Sequence, residues 1–448
     1  MRGILVLAIL CFIPSGRNAW SEDISLTVYN TDLAVVKVVD TMSFKSGRQT
    51  VSMTDVAEMV DPTSVRFSSE KGDVRIIEQN YRYDLINPHK VLQRYIDRDI
   101  AIRLKEGDFI EGILQSVSSD VVIKSRDGKL NIVKEDAIQR FEFPELPEGL
   151  ITRPTLVWDI YSEKNITTPT EVSYMTQGIS WHAEYTAVTS DNDDAVELSS
   201  WVSVENNSGT SYDDATLKLV AGDVHRVTPP MPQFSRQMVK SAAMAEDFAG
   251  GFEERGLFEY HLYELKGKTM VQNAEIKQIS LFEPVTTNAK KLFVYDARKD
   301  SEKVSVSLEF VNSQKDGLGM PLPAGKVRVY KRDTDGSLEF IGEDALDHTP
   351  KNEKVRLVMG NAFDCVGERL VTDTKRITQR IREETIEIKL RNRKEEAVTI
   401  TAVEHLWGDW EIREKSVEYV KKDARTIEFT VLVPADGEMV ITYTVRYN

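Results

Sequence analysis

The chain has 448 residues, with 72 acidic side chains against 57 Lys and Arg, a formal charge of −15 and 41% hydrophobic content. That apolar share excludes general disorder, and a length of this order implies about three domains at roughly 100 to 200 residues each. The acidic balance excludes a nucleic-acid polyanion as main partner, because phosphate binding draws its affinity from clustered Lys and Arg and the sequence has no such cluster.

At the start, Arg2 precedes an unbroken apolar run from Ile4 to Ile13, followed by Pro14, Ser15, Gly16 and the small residues Ala19 and Ser21. Residues 1–21 therefore read as a secretory signal peptide. Ten apolar residues rise only about 15 Å as a helix, whereas a bilayer core needs about 20 residues, so no permanent span is expected. Cleavage after Ser21 gives a mature, extracytoplasmic chain, periplasmic or secreted, starting at Glu22. Cys11 follows Leu10, where a lipoprotein signal requires a small residue, so no lipid anchor is expected. Removal of the leader takes Arg2 and Arg17 with it and leaves Cys365 alone, so an exported fold must rely on packing instead of an internal disulfide. Cys365 itself reads as a small half-buried side chain, since a nucleophile needs a nearby His and a lowered thiol pKa.

Period-two alternation then governs the chain. Val304, Val306, Leu308 and Phe310 alternate with polar residues, as do Ile386, Ile388 and Leu390, then Ile427 to Val433, then Ile441 to Tyr447. Such spacing directs one apolar face inward and predicts half-buried antiparallel strands, punctuated by turns at Asp127-Gly128, Asp335-Gly336 and Asn207-Ser208-Gly209. The expected class is mainly β, with several antiparallel β-sandwich-like modules and a small SH3/Sm-like barrel. In chain order the expectation is an N-terminal β segment over 22–92, the barrel over 93–146, a β-rich central domain over 147–375 and a C-terminal β-sandwich over 376–448. One helix is predicted near 88–97, from the cap Asn87, Pro88 at the first helical position and the apolar face Val91, Leu92, Tyr95 and Ile96. The Glu106, Asp108 and Glu111 cluster argues against RNA binding by the barrel.

From Pro229 to Gly256 neither period survives, and prolines, an alanine-rich stretch and Gly250-Gly251 predict a flexible loop. A linker is the plain reading; Met231, Met238 and Met244 are the basis of the other, a binding segment.

The six histidines, at 89, 182, 225, 261, 348 and 405, lack metal-ligand spacing. His182 beside Trp181 and His261 beside Tyr260 read as hydrogen-bonded structural side chains. Asp191, Asp193 and Asp194, like Asp333, Asp335 and Glu339, resemble fragments of a calcium loop but lack its full oxygen set, and read as solvated turns. Trp158, Trp181 and Trp201 read as sandwich core, with a sugar-stacking platform as the alternative. No nucleophile elbow, phosphate loop or dinucleotide fingerprint occurs, and Gly317-Leu318-Gly319 sits in a loop. No catalytic, cofactor or metal residue is assigned.

One stretch carries a family likeness: Ser173-Tyr174-Met175-Thr176-Gln177-Gly178-Ile179-Ser180-Trp181-His182-Ala183-Glu184-Tyr185, then Trp201 to Val204, Asn206-Asn207-Ser208-Gly209 and Leu219-Val220-Ala221-Gly222-Asp223-Val224. With Glu259 to Tyr263, Pro323 to Val327 and Ile341 to Asp344, it resembles the bacterial domain of unknown function 4139 over roughly residues 150–448. A more distant likeness is to mucoidy-inhibitor-type proteins, named for an effect on bacterial capsule, though their coiled-coil segment is not visible here. The resemblance implies an exported, β-rich bacterial protein and supplies no catalytic residues. The leading expectation is a non-catalytic interaction or scaffold protein of the cell envelope, with an envelope protein or polysaccharide as partner. The alternative is a carbohydrate-active or metal-assisted hydrolase, in which His182, His225 or His261 would converge with carboxylates from separated strands.

Overall fold

The computed structural model describes residues 23–222, 224 and 251–448, apart from 71, 119, 146, 148 and 149. The expected signal peptide, His225 and most of the 229–256 loop lie outside the described residues. The last part of that loop, Phe252–Leu257, is a strand paired with Tyr260–Val271. Its Phe252 buries in the main core, which a structureless segment could not do.

Strands carry most of the described chain, and Pro88–Arg94 is its one α-helix. The alternation read from the sequence sets the strand faces: Ile386, Ile388 and Leu390 are fully buried, as are Ile427, Phe429 and Val433. Not every pairing is antiparallel. Asp23–Tyr29 runs parallel to Tyr212–Ala221, Ile179–Thr189 to Gly325–Arg332, and the end of Glu275–Asp296 to Val398–His405. Parallel neighbours need long crossovers, so these three pairings come from segments far apart in the chain.

The segment 22–92 is not a module of its own. Asp23–Tyr29 and Ala34–Phe44 lie inside a seven-stranded sheet, between Tyr212–Ala221 and Ile166–Thr176. Leu26, Val28, Ala34 and Val36 join Trp158, Trp181 and Tyr263 in one core. The inward faces of the first two strands are covered by residues beyond 150, which is why the expected boundary at 92/93 fails.

What stands apart is an insertion. Val74–Arg82 and Thr155–Ser162 are antiparallel neighbours with Arg82 opposite Thr155, so residues 83–154 leave and return at one point. The neck is closed by Ile86 N donating to Ile151 O at 2.9 Å and Ile151 N to Asp84 O at 3.1 Å. Helix Pro88–Arg94 belongs to this insertion: Asn87 caps it by accepting from Lys90 N at 2.9 Å. Its Val91, with Tyr95 just beyond, packs on Ile100, Ile102, Leu114 and Ile123. Five strands follow in the spatial order Ile138–Glu142, Asp99–Leu104, Phe109–Ser116, Val121–Ser125 and Leu130–Val133. The outer two do not pair, so the small barrel expected over 93–146 is an open antiparallel sheet.

The largest sheet has thirteen strands. Two of them are long enough to serve two cores. Glu275–Asp296 pairs with Ala195–Asn206 in its first half and with Lys303–Val311 in its second. Lys354–Arg376 pairs first with Lys303–Val311 and then with Arg382–Asn392. Tyr295, Val304 and Cys365 from these strands join Ile386 to Tyr447 in the second core. The C-terminal unit expected at 376 therefore begins inside strands that also build the first core. At the far end the sheet curls until Leu338–Leu346 meets Lys354–Arg376, where Val358 N donates to Asp344 Oδ2 at 2.7 Å. A Cβ on Gly342 would lie 2.8 Å from Met359 O, so only glycine allows that approach.

Three fully buried asparagines tie the strand ends together. Asn206 Nδ2 reaches Thr210 O at 2.9 Å, Gln272 O at 3.1 Å and Val271 O at 3.3 Å. Asn312 reaches Met320 O at 2.7 Å and Pro350 O at 3.0 Å. Asn392 reaches Glu396 O at 2.8 Å, Pro434 O at 3.0 Å and Val433 O at 3.4 Å. Each Oδ1 accepts a local backbone N–H, from Ser208, Gly319 and Lys394 respectively. Each asparagine thus joins its own loop to a distant pair of consecutive residues.

Two outcomes follow from this architecture. Replacing residues 83–154 by Asn-Gly joins Arg82 to Thr155 in a hairpin; the product should retain one cooperative transition and the buried-tryptophan fluorescence of Trp158. Asn312→Ala strands several buried groups, each costing about 1–3 kcal/mol, and urea denaturation should report a loss of roughly 2–4 kcal/mol. Asn312→Asp should lose more, since a carboxylate would face carbonyl oxygens.

Candidate functional site

The described histidines stay apart. His182 lies on a strand of the thirteen-stranded sheet, 3.9 Å from Glu184, and His261 in the seven-stranded sheet with Nδ1 2.8 Å from Glu254 Oε1. His405 Nε2 pairs with Asp296 Oδ2 at 3.1 Å, His348 Nδ1 accepts from Ala324 N at 3.1 Å, and His89 meets Gln93. Among the described residues no three His, Cys, Asp or Glu side chains are grouped to hold a metal.

Trp158 and Trp181 are core, as expected. Trp201 is not: 46% exposed, it lies on the outer face of Ala195–Asn206 opposite Glu184 and Ser280. Its neighbours Ser200 and Val202 take the inward places, so the reading of all three tryptophans as core is corrected here. Cys365 is fully buried and donates to Asn392 Oδ1 at 3.8 Å. Burial pushes its thiol pKa up against the pull of Lys394 and Lys291. In the second core Glu404 accepts both oxygens' worth of hydrogen bonds from Arg369 Nε, at 2.9 and 3.0 Å, and one more from Tyr443. Burial, then the charge of Glu404, raises the Tyr443 phenol far above its ordinary range, leaving a neutral donor that locks the pair.

The fold instead brings together residues that sequence spacing left separate. A cleft of about 280 Å³ opens where the curled end of the large sheet meets the paired strands Glu275–Asp296 and Lys303–Val311. Lys291, Lys331 and Lys394 line it with a single carboxylate, Asp193, and its walls include Phe293, Val306, Leu308, Ile341 and Met359.

Each charged group is placed by a local device. Asp193 sits in the turn between Ile179–Thr189 and Ala195–Asn206 at φ +57°, a left-handed position that Asp tolerates. Ser190 fixes that turn, its hydroxyl donating to Asp194 Oδ1 at 2.7 Å and its carbonyl accepting from Asp193 N at 3.1 Å. Lys331 lies opposite Thr189 in the parallel pair. Its Nζ donates to Asp193 Oδ1 at 2.7 Å and to Asp191 O at 3.0 Å. Lys291 Nζ donates to Asp193 Oδ2 at 2.8 Å and stands 5.5 Å from the Phe293 ring. Lys394 is presented by the Asn392 corner, through its N–H to Asn392 Oδ1 at 3.0 Å. Its ammonium has no ion-pair partner among the described residues. Thr189, 4% exposed, lines the cleft with an Oγ1 that lacks a hydrogen-bond partner there.

The acidic turn read as solvated is thus a clamp. Asp193's side chain is only 14% exposed. Burial works to raise its carboxyl, and hydrogen bonds and charge from Lys291 and Lys331 outweigh that, holding its pKa below the ordinary value. Three ammoniums against one carboxylate on mostly apolar walls can hold an anionic group, and the site's low-dielectric walls strengthen that attraction relative to open water. No family model matches the chain, and no curated protein matches it.

Asp193→Asn keeps the turn and removes the clamp. Hydrogen bonds to charged groups contribute about 1.5–3 kcal/mol, so the variant should be about 1–3 kcal/mol less stable at pH 7. A carboxyl whose folded pKa is depressed stabilises above its unfolded value of about 3.9 and loses that contribution as pH falls through the folded value. The stability gap should therefore close on acidification, as followed by urea titration at pH 7, 4 and 2.5.

Proposed function

We propose that this chain is an exported, non-catalytic binding protein of the bacterial cell envelope, and that it engages its partner through an anionic group seated in the lysine-lined cleft. The observation that carries the reading is the convergence of Lys291, Lys331 and Lys394 on one cleft in a chain of net charge −15. Random placement on so acidic a surface would intersperse carboxylates; here one carboxylate serves two of the three cations. The apolar run before Ser21 supports export, and the resemblance over residues 150–448 to the bacterial domain of unknown function 4139 supports an envelope setting. The inserted sheet places its last strand beside its first, an order we read as an opened relative of an SH3/Sm-like barrel.

One observation favours a polysaccharide as the second reading of the partner. Trp407, 50% exposed, stacks on Tyr447 with centroids 4.0 Å apart and planes at 17°, and Arg382 stands 5.1 Å from its ring. A fixed, exposed indole beside a guanidinium suits a sugar face.

Isothermal titration against small carboxylates, at low and physiological salt, tests the cleft. Binding should weaken with salt and be lost in Lys394→Glu. Lys129→Glu, on the inserted sheet, should bind as wild type. Binding untouched by Lys394→Glu but abolished by Trp407→Ala would move the function to the aromatic platform.

A further inference from the structure

We infer that the cleft is built for a small amphipathic monoanion: one carboxylate held by Lys394 and Lys291, with a compact apolar body against Phe293, Val306, Leu308 and Met359. The inference rests on the reading of this cleft as an anion site and specifies what the anion is attached to.

Size comes first. Ligand pockets for drug-sized molecules run about 300–1,000 Å³, and this cleft holds about 280 Å³, room for a single compact group and too little for a run of polymer. The walls come second. Apart from its charged groups, the polar side chains on the lining are Thr189, Ser307 and Asn361, and the rest is apolar or main chain. Thr189 and Ser307 are both almost fully buried. A sugar acid would bring several hydroxyls, and each one desolvated without a partner costs about 1–3 kcal/mol. An acyl chain or aromatic ring brings none and gains from every apolar contact.

Charge is the third consideration. Asp193 occupies Lys291 and Lys331 together, leaving the unpartnered Lys394 as the strongest point of attraction. Lys291 lines the same cleft as Lys394, so one carboxylate seated there can meet both. A dianion such as phosphate would satisfy the lysines but leave the half-buried Val306 and Met359 facing water. The arrangement therefore pairs one anionic head with one apolar body.

Ligand-observed NMR and calorimetry with the full mature chain test this, using octanoate, N-acetylphenylalanine, acetate, octanol, glucuronate and inorganic phosphate as probes. Octanoate or N-acetylphenylalanine should bind at least tenfold more tightly than acetate and than octanol. Lys394→Ala should weaken that binding at least fivefold, and Lys394→Arg should restore most of it. Ile341→Ser, at the half-exposed rim, should weaken octanoate while leaving acetate unchanged. Acetate, glucuronate or phosphate binding as tightly as octanoate would overturn the amphipathic ligand and leave the anion site standing. Octanol matching octanoate, or no anion binding at all, would overturn both.

Discussion

The buried asparagine amide is the interaction on which the rest of this structure depends. Among the described residues Cys365 is a free cysteine, so no disulfide ties the sheets together, and the strands end in loops whose carbonyls point into the core. Asn206, Asn312 and Asn392 meet those carbonyls with a side chain that both donates and accepts. No apolar residue could replace them, because the cost of a stranded carbonyl falls on the partner as well as on the mutated group. The positions follow one pattern: an apolar residue, one residue facing the other way, then Asn, as in Val204-Glu205-Asn206, Phe310-Val311-Asn312 and Leu390-Arg391-Asn392. The apolar residue fixes the strand's inward face, and two residues later that face carries the amide inward at the strand end. One solution to the same corner problem is used three times.

These corners also explain how the cleft is rigid. The Asn392 corner holds the loop that carries Lys394, and the Asn312 corner ties Met320 and Pro350 to the end of Lys303–Val311, whose Val306 and Leu308 form the apolar wall. Glu275–Asp296 and Lys354–Arg376 run from one core into the other, so the wall residues Phe293 and Met359 sit on strands anchored at both ends. A lysine side chain normally loses about 1.5–2 kcal/mol of rotamer freedom when it is ordered. Lys291 and Lys331 have already lost it to Asp193, so a ligand meets two of its three cations preorganised.

How much of this the sequence made legible follows from the range of each interaction. Alternation is local, so the strand faces at 386–390 and 427–433 were readable, and the helix at Pro88 was readable from its cap and first-turn proline. Domain limits were not. Whether Leu26 and Val28 face a core built beyond residue 150 depends on a parallel pairing with Thr216–Val220, and no periodicity encodes a partner that distant. The tip-to-tip geometry of Arg82 and Thr155, which makes 83–154 an insertion, is equally silent. Trp201 was misread because tryptophan is so often core; the alternation around it, with Ser200 and Val202 inward, was the available signal. The lysine cluster had no signal at all: positions 291, 331 and 394 are far apart, and a count of charges along the chain finds only an acidic protein.

That contrast between acidic total and cationic cleft is resolved by screening. At physiological ionic strength the Debye length is about 8 Å, so an anion near the cleft responds to the few charges within that radius and hardly to the remaining surface. Within it stand Lys291 and Lys331, each under 3 Å from Asp193. A net charge of −15 disfavours nonspecific contact with polyanions, and under the proposed reading of the cleft selection among anions falls to the apolar walls. A site that relied on charge alone would need a basic protein around it; one that combines a few ammoniums with desolvated walls can work inside an acidic one.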